Sequence, residues 1–184
     1  MISRGIHTLL LSTVLVATST PVYSFDLSGT LFEKAGVQVG LDPKLIYSIA
    51  LAESAYGKGN GTLGPHPWTL RSTTPTYAAN RDEAEQKLRQ YLESGRKGID
   101  VGIMQINVKW NGHRVASPLQ LLDPATNVML GAQILSEAIK SSPNDLELGI
   151  GRYHHWTEED RSRNYGARIL AIYQNLLRLS RGQQ

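Results

Sequence analysis

Glu53 is the residue whose position is hardest to explain as an ordinary surface side chain. Its spacing from Ile46, Ile49 and Ala50 brings all four residues onto one face of a helix, and the other three are apolar. A carboxyl group on a core-facing stripe loses solvation, which raises its pKa and favours the protonated form. A carboxylic acid that is protonated near neutral pH can act as a general acid. Spacing alone leaves open the alternative of a solvated glutamate near a helix end.

The elements that must position Glu53 are mainly helices. Their predicted starts follow capping residues or Asx-Pro and Ser-Pro pairs, and glycines mark two of the ends, Gly36 and Gly95. The predicted helices span about 28–36, 43–55 (begun by Asp42-Pro43), 81–94 (capped by Asn80), one turn from Ser117-Pro118, 124–140 (begun by Asp123-Pro124), a short segment from Asn144 to about Tyr153, and a last helix from Thr157 to about Leu179.

The remaining segments carry turn residues and short apolar runs. Residues 57–67 are rich in glycine and proline and are predicted to be a loop. Residues 66–80 read as a short β-hairpin around Pro75. The run 101–108 is too short for its pattern to separate strand from helix. These features predict a mainly α fold of the α+β type, with a small β-hairpin inserted.

The composition describes one domain behind a removable leader. Residues 1–24 carry Arg4, a short Leu- and Val-rich run, and small residues up to Ser24, as in a secretory signal peptide. An uncleaved N-terminal anchor is the alternative, although the apolar run is short for a membrane span. We therefore expect a mature domain at 25–184 that is exported, and its 160 or so residues suffice for a single core.

Several classes of function are disfavoured by composition and spacing. The chain has no cysteine, which excludes cysteine nucleophiles and cysteine-ligated metals, and its formal charge of +3 is too small to argue for nucleic acid. The adjacent pair His154-His155 lacks metal-ligand spacing, so we expect no metal. A G-x-G-x-x-G match at 59–64 follows a helix rather than a strand and is not a dinucleotide motif. Ser94 to Lys97 matches S-x-x-K, but its partner motifs are missing.

Four motifs, in order along the chain, resemble those of the lytic transglycosylases with the soluble-transglycosylase fold, which are related to goose-type lysozymes. They are Glu53-Ser54 at a helix end, Gly102-Ile103-Met104-Gln105, Asn127-Val128 opening a later helix, and Gly151-Arg152-Tyr153-His154-His155 in place of the family's A-Y-N-x-G. A further tyrosine, Tyr165, falls on the last helix. The fourth motif keeps its tyrosine and loses the Asn and Gly.

The resemblance implies a lysozyme-like fold and a site built around one acid. It implies Glu53 as the catalytic residue and no cofactor. The residues it implies for substrate binding are Ser54, Met104, Gln105, Asn127, Tyr153 and Tyr165. Four aromatic residues are further candidates for stacking on sugars, although each could equally pack in the core: Trp68, Tyr77, Trp110 and Trp156.

The implied substrate is the glycan strand of peptidoglycan. The family cleaves the β-1,4 bond between N-acetylmuramic acid and N-acetylglucosamine and leaves a 1,6-anhydro end. The stretch between Ser54 and Gly102 is longer than in the general family and resembles the branch associated with conjugation and secretion systems. The resemblance therefore implies a periplasmic monomer that opens the wall for such a machine, with no nucleic-acid partner.

Two other functions remain compatible with the sequence. A muramidase that adds water would need a second carboxylate across the groove, and Asp100 is the best candidate. A peptidoglycan-binding assembly factor could keep the fold without turnover, which the altered fourth motif would suit and the intact Glu53, Ser54 and Gln105 would not.

Overall fold

The computed structural model describes residues 25–57, 59, 62–96 and 98–182. The predicted leader at 1–24 lies outside the described residues. Within them the helices are α1 Leu31–Val39, α2 Pro43–Ser54, α3 Arg81–Glu93, α4 Val108–Asn111, α5 Pro124–Lys140, α6 Leu146–Gly151 and α7 Glu159–Ser180, with 3₁₀ turns at Gly112–Arg114 and Pro118–Leu122. No described helix combines the length and apolar character needed to cross a membrane.

The mainly α prediction is confirmed, and the helices begun by Asx-Pro pairs are predicted best. The side chain of Asp42 accepts a hydrogen bond from the Lys44 amide at the start of α2, and Asp123 accepts one from the Thr126 amide at the start of α5. These signals are local, because the carboxylate caps the backbone of its own first turn. Tertiary packing therefore leaves them unchanged.

The predicted end of α1 at Gly36 is wrong. The helix continues to Val39 and ends at Gly40, whose φ of 73° suits a glycine. Gly36 is buried, and a Cβ added there would lie 2.6 Å from the carbonyl oxygen of Leu41. The glycine at 36 therefore allows close packing of the chain as it turns back, a requirement that local sequence rules do not contain.

Two predicted caps near the C-terminus are also wrong. The helix α6 is capped by Asp145 rather than Asn144, with the Asp145 carboxylate accepting from the Leu148 amide at 2.9 Å. The same carboxylate pairs with Arg163 at 2.8 Å, which favours Asp145 over Asn144 as the cap of α6. The helix α7 begins after Glu158, without a side-chain cap, rather than at Thr157.

Six short strands form two small antiparallel sheets in the described chain. Strands β1 Ala55–Gly57 and β2 Leu63–Pro65 pair with each other, so the prediction of a loop across 57–67 is wrong in part. The hairpin predicted around Pro75 is confirmed as β3 Thr69–Arg71 and β4 Pro75–Tyr77. Strands β5 Asp100–Val101 and β6 Ile106–Asn107 complete a sheet of order β4-β3-β5-β6 and resolve the ambiguous 101–108 run as two strands around a turn.

The helix α2 is central to the core. It packs against α1, α5 and α7, and Ile46, Ile49 and Ala50 on its inner face are fully buried. The strand β1 starts directly after its last residue. The C-terminal end of α2 is therefore held between the α7 helix and the two sheets, and this is where Glu53 lies.

Candidate active site

Glu53 lies in the last turn of α2 and is 6% exposed. The phenol of Tyr165, from α7, donates a hydrogen bond to its Oε1 at 2.6 Å. The Arg71 guanidinium, from β3, donates to the backbone carbonyl oxygen of Glu53 at 3.4 Å. Three elements that are distant in sequence thus hold one carboxyl group at the edge of the core.

Burial raises the pKa of Glu53 and is the largest influence on it. The Tyr165 hydrogen bond and the positive charges of Arg71 and Arg168 act in the opposite direction, and the negative charge of Asp100 raises the pKa further. The net direction is upward, as the apolar stripe predicts. Glu53 can therefore hold a proton at a higher pH than a solvated glutamate and return it as a carboxylate.

The buried Asn127 side chain makes three hydrogen bonds at the turn between β5 and β6. The Asn127 amide, at the start of α5, donates to the carbonyl oxygens of Val101 and Leu121, both at 2.8 Å, and its Oδ1 accepts from the Met104 amide at 2.8 Å. Gly102 has a φ of 82°, and a Cβ added there would lie 2.3 Å from Asn127 Nδ2. Glycine is therefore required at 102 both for its conformation and for the approach of the asparagine.

Gln105 ends this turn in an unusual backbone conformation, with a φ of 46°. Its Nε2 donates to the carbonyl oxygens of Thr69 and Gly102, at 3.0 and 2.9 Å. These two acceptors fix the orientation of the amide, because only the nitrogen can donate to them. The buried Oε1 of Gln105 finds no hydrogen-bond donor among the described residues. Gln105 thus lines the groove beside Glu53, with the orientation of its amide fixed and its Oε1 buried.

Three of the predicted binding residues lie beneath the groove instead of lining it. The Ser54 hydroxyl is fully buried, 2.7 Å from the carbonyl oxygen of Ile103 and 3.1 Å from that of Ala50. The Met104 side chain is also fully buried and fills the space left by Gly131 on α5. Together with Asn127, they connect α2 and α5 to the 102–105 turn, which is a supporting role.

The two predicted tyrosines do reach the site. Tyr165 contacts Glu53 directly, as described above. The Tyr153 hydroxyl, just after α6, donates to the carbonyl oxygen of Met104 at 2.7 Å, and the residue lines the groove. The structure therefore brings Glu53, Gln105, Tyr153 and Tyr165 together.

A groove of about 690 Å³ opens in front of Glu53. Two of the four candidate stacking residues line it with largely exposed rings, Trp110 at 66% and Trp156 at 57%. The other two do not line it: Trp68 packs against the core, and Tyr77 joins an aromatic cluster with Tyr56. An extended groove with exposed indole rings suits a polymeric ligand better than a small compact one.

Asp100 lies in the same groove as Glu53. Burial raises the pKa of Asp100, while the hydrogen bond from Asn107 Nδ2 at 2.7 Å and the charges of Arg71 and His154 lower it. The net direction is upward. The sequence alternative of a second carboxyl group near Glu53 is therefore compatible with this placement.

Several residues near Glu53 were not predicted from the sequence. Arg71 belongs to the inserted hairpin, and no local signal connects it with Glu53. Arg152 and His154 flank Tyr153 in the altered fourth motif, and that departure from the family pattern could have drawn attention to them. Among the described residues, no group of three histidine, aspartate or glutamate side chains could hold a metal ion.

Replacing Tyr165 with Phe is expected to raise the pKa of Glu53 further. The phenol hydrogen bond stabilises the carboxylate and so lowers the pKa. Without it, fewer influences oppose the increase in pKa that burial causes. A ¹³C NMR titration of the glutamate carboxyl groups measures this, with Glu53 assigned by its disappearance in Glu53→Gln.

The matched control is Tyr173→Phe, on the same helix. It removes a phenol hydrogen bond to Asp42 at 2.8 Å, away from the groove, and should leave the Glu53 titration unchanged. A Glu53 pKa that is unchanged or lowered in Tyr165→Phe would contradict the role assigned to this hydrogen bond.

Comparison with known proteins gives one family. The family model described as "Transglycosylase SLT domain" matches residues 30–170, which span α1 to the middle of α7 and include every site residue discussed above. Searches of curated proteins and of solved structures gave no significant match.

Proposed function

Because the chain belongs to the transglycosylase SLT domain family, whose members are peptidoglycan lytic transglycosylases, we propose that it cleaves the bond between N-acetylmuramic acid and N-acetylglucosamine with Glu53 as both acid and base. The proposed product carries a 1,6-anhydro-N-acetylmuramic acid end. The observation that carries the proposal is the buried, Tyr165-bonded carboxyl group of Glu53 at the floor of the groove.

In the first proposed step, Glu53 protonates the oxygen of the glycosidic bond. The bond from that oxygen to the anomeric carbon breaks, and the N-acetylglucosamine side leaves as an alcohol. The carbonyl oxygen of the substrate's own 2-acetamido group stabilises the positive charge at the anomeric carbon. The raised pKa of Glu53 supports this step, because the group must hold its proton until the bond breaks.

In the second step, Glu53 acts as a carboxylate. It takes the proton of the muramyl 6-hydroxyl, and that oxygen bonds to the anomeric carbon as the acetamido oxygen withdraws. The glutamate regains its proton and no water is consumed. The Tyr165 hydrogen bond and the charges of Arg71 and Arg168 stabilise the carboxylate between the two steps.

The groove offers groups for holding the sugars on either side of this bond. The preoriented Oε1 of Gln105 is suited to accept a hydrogen bond from an acetamido N–H. The exposed rings of Trp110 and Trp156 are suited to pack against the faces of sugar rings. These contacts would place the scissile bond near Glu53. They would also limit the access of water to the anomeric carbon.

One observation favours a second candidate function, a water-adding muramidase. Asp100 lies in the same groove, and its negative charge raises the pKa of Glu53, as a nearby like charge does. A second carboxylate across the bond could activate water and produce a reducing end. A non-catalytic assembly factor is not favoured, because family membership identifies the chain as an enzyme and the Glu53 site is intact.

Mass spectrometry of the muropeptides released from purified sacculi separates the two reactions. We expect residues 25–184 to release anhydro ends and Glu53→Gln to release none. Asp100→Asn should keep the anhydro product, because the proposed reaction needs only one carboxyl group. Reducing ends, lost in Asp100→Asn, would identify a hydrolase instead. No release by the unchanged protein would overturn both readings.

The cellular role follows as part of the same proposal. The predicted leader at 1–24 would direct the domain to the periplasm, where peptidoglycan lies. The inserted region carrying β3, β4 and α3 supports assignment to the branch that serves conjugation or secretion machines, where local cleavage would open the wall. Expression of the full chain followed by fractionation and N-terminal sequencing tests the export, with cleavage after Ser24 expected.

A further inference from the structure

His154 stands where the family's fourth motif has asparagine, directly after Tyr153. It lies at the surface of the groove. Its imidazole ring packs against the ring of Tyr165, with centroids 4.8 Å apart and an angle of 33° between the planes. The helix α7 and the segment that follows α6 thus meet through two aromatic rings, one of which belongs to the tyrosine bonded to Glu53.

Tyr165 is part of the buried core, and among the described residues two polar side chains besides Glu53 lie against its ring. The imidazole of His154 is one, and the guanidinium of Arg168, 5.2 Å from the ring centroid, is the other. Arg168 is one turn along the same helix and moves with Tyr165. His154 belongs to a different segment, the one that follows α6. Its contact therefore fixes the position of the Tyr165 ring relative to the wall of the groove.

We propose that His154 is a positioning residue for the lytic reaction: its ring holds Tyr165 in the orientation that donates to Glu53. An asparagine at 154 would offer a flat amide of smaller area and no aromatic face. Histidine at position 154 therefore makes a ring-to-ring contact with Tyr165, where asparagine would offer only its amide. The inference rests on the proposed role of Glu53 as acid and base.

The charged groups around His154 are Asp100 on β5, Arg71 on β3, Arg168 on α7 and the neighbouring His155. Desolvation of the ring lowers the pKa of His154, Arg168 and Arg71 lower it further, and Asp100 opposes them. The net direction is downward, which favours the neutral form of the ring. A neutral ring is the form that packs against a phenol without adding a charge beside Glu53.

A loss of this contact has a distinctive consequence. Freeing the Tyr165 ring weakens its hydrogen bond to Glu53, and that bond lowers the Glu53 pKa. The rate depends on protonated Glu53, so its decline at high pH reports this pKa. Removing the His154 ring should therefore move that decline to higher pH, the direction expected for Tyr165→Phe.

The test uses rates of sacculus solubilisation across pH for His154→Ala, His154→Phe and the control His113→Ala, whose histidine is exposed and is not among the groove residues. We expect His154→Ala to lower kcat about tenfold, since a misplaced catalytic group costs at least that much. KM should stay within about twofold. His154→Phe keeps a ring against Tyr165 and should restore both the rate and the pH profile. His113→Ala should behave as the unchanged protein.

A double variant shows whether His154 acts through Tyr165. In a Tyr165→Phe background there is no phenol to orient, so adding His154→Ala should change kcat by less than about twofold. An equal loss in both backgrounds would overturn the proposal. So would an unmoved pH profile in His154→Ala, or a raised KM that Phe does not rescue, which would indicate direct contact with sugar.

The two proposals fail in distinguishable ways. If Glu53→Gln keeps lytic activity, the proposed function itself is wrong. If Glu53→Gln is inactive while His154→Ala has the rate and pH profile of the unchanged protein, only the positioning role is wrong. Thermal unfolding of each variant shows whether a lost rate reflects lost folding, and the Phe variant, with a ring of similar size, guards against that outcome.

Discussion

The Glu53→Gln variant is expected to lose lytic activity by about 10²–10⁴-fold, the usual contribution of a general acid or base. The glutamine amide can neither donate a proton to the leaving oxygen nor accept one from the 6-hydroxyl. Its shape and burial match those of the glutamate, so the groove should keep its form. Initial rates of release from purified sacculi measure the effect, with Glu93→Gln, exposed at the end of α3, as the matched control.

The same substitution is expected to stabilise the fold near neutral pH. Burial raises the pKa of Glu53 above its unfolded value, so the folded state holds the proton more tightly. The stability from that proton is present below the unfolded pKa and is lost as the pH rises through the folded pKa. The neutral amide avoids this loss, so the Tm of the variant should be higher, with each 1 kcal/mol gained appearing as about 2–4 °C.

The pH dependence gives this prediction its sharpest form. The difference in Tm between Glu53→Gln and the unchanged protein should shrink as the pH falls toward the ordinary pKa of a glutamate, because both side chains are then neutral. Glu93→Gln, at an exposed glutamate, should show no such trend. A variant that is less stable than the unchanged protein at neutral pH, or that retains its rate, would contradict the description of Glu53 as a buried, catalytic acid.

Asn127→Ala is expected to have the second-largest effect, on stability as well as rate. It removes three hydrogen bonds of 2.8 Å and leaves the Met104 amide and the Val101 and Leu121 carbonyl groups without their partner. Unsatisfied buried groups of this kind cost about 1–3 kcal/mol each, so a loss of about 3–5 kcal/mol is expected. At about 2–4 °C per kcal/mol, the Tm should fall by about 10 °C or more.

The loss of Asn127 should also lower the rate of the protein that remains folded. The 102–105 turn places Gln105 in the groove, and without Asn127 the Met104 amide loses its hydrogen bond to α5. Circular dichroism melts and sacculus assays at a temperature below the transition measure the two effects separately. Asn164→Ala, exposed on α7, is the control. A fall in Tm of less than about 2 °C would show that water or a backbone shift replaces the three bonds.

Features that depend on neighbours in sequence were predicted well. Asp42-Pro43 and Asp123-Pro124 begin α2 and α5 as expected, since a cap acts on its own first turn. The apolar stripe of α2 indicated a poorly solvated Glu53, because helical periodicity alone brings those residues to one face. The hairpin around Pro75 was likewise a local prediction, confirmed by the pairing of β3 with β4.

The structure separates the predicted site residues by position. Ser54, Met104 and Asn127 belong to the family's motifs, yet the structure places them beneath the groove, where they support the turn that carries Gln105. Motif order shows which residues a family keeps and is silent about which atoms face the substrate. That information depends on packing between segments far apart in the chain.

Local patterning in the chain was sufficient to identify a mainly helical domain with one poorly solvated glutamate near a helix end. The Tyr165 hydrogen bond across 112 residues of sequence, the approach of Arg71 from the inserted hairpin and the packing of His154 on Tyr165 exist only in the folded molecule. The reason is physical: solvation and periodicity act on each segment separately, whereas the protonation and orientation of Glu53 depend on charges and hydrogen bonds that folding brings from elsewhere.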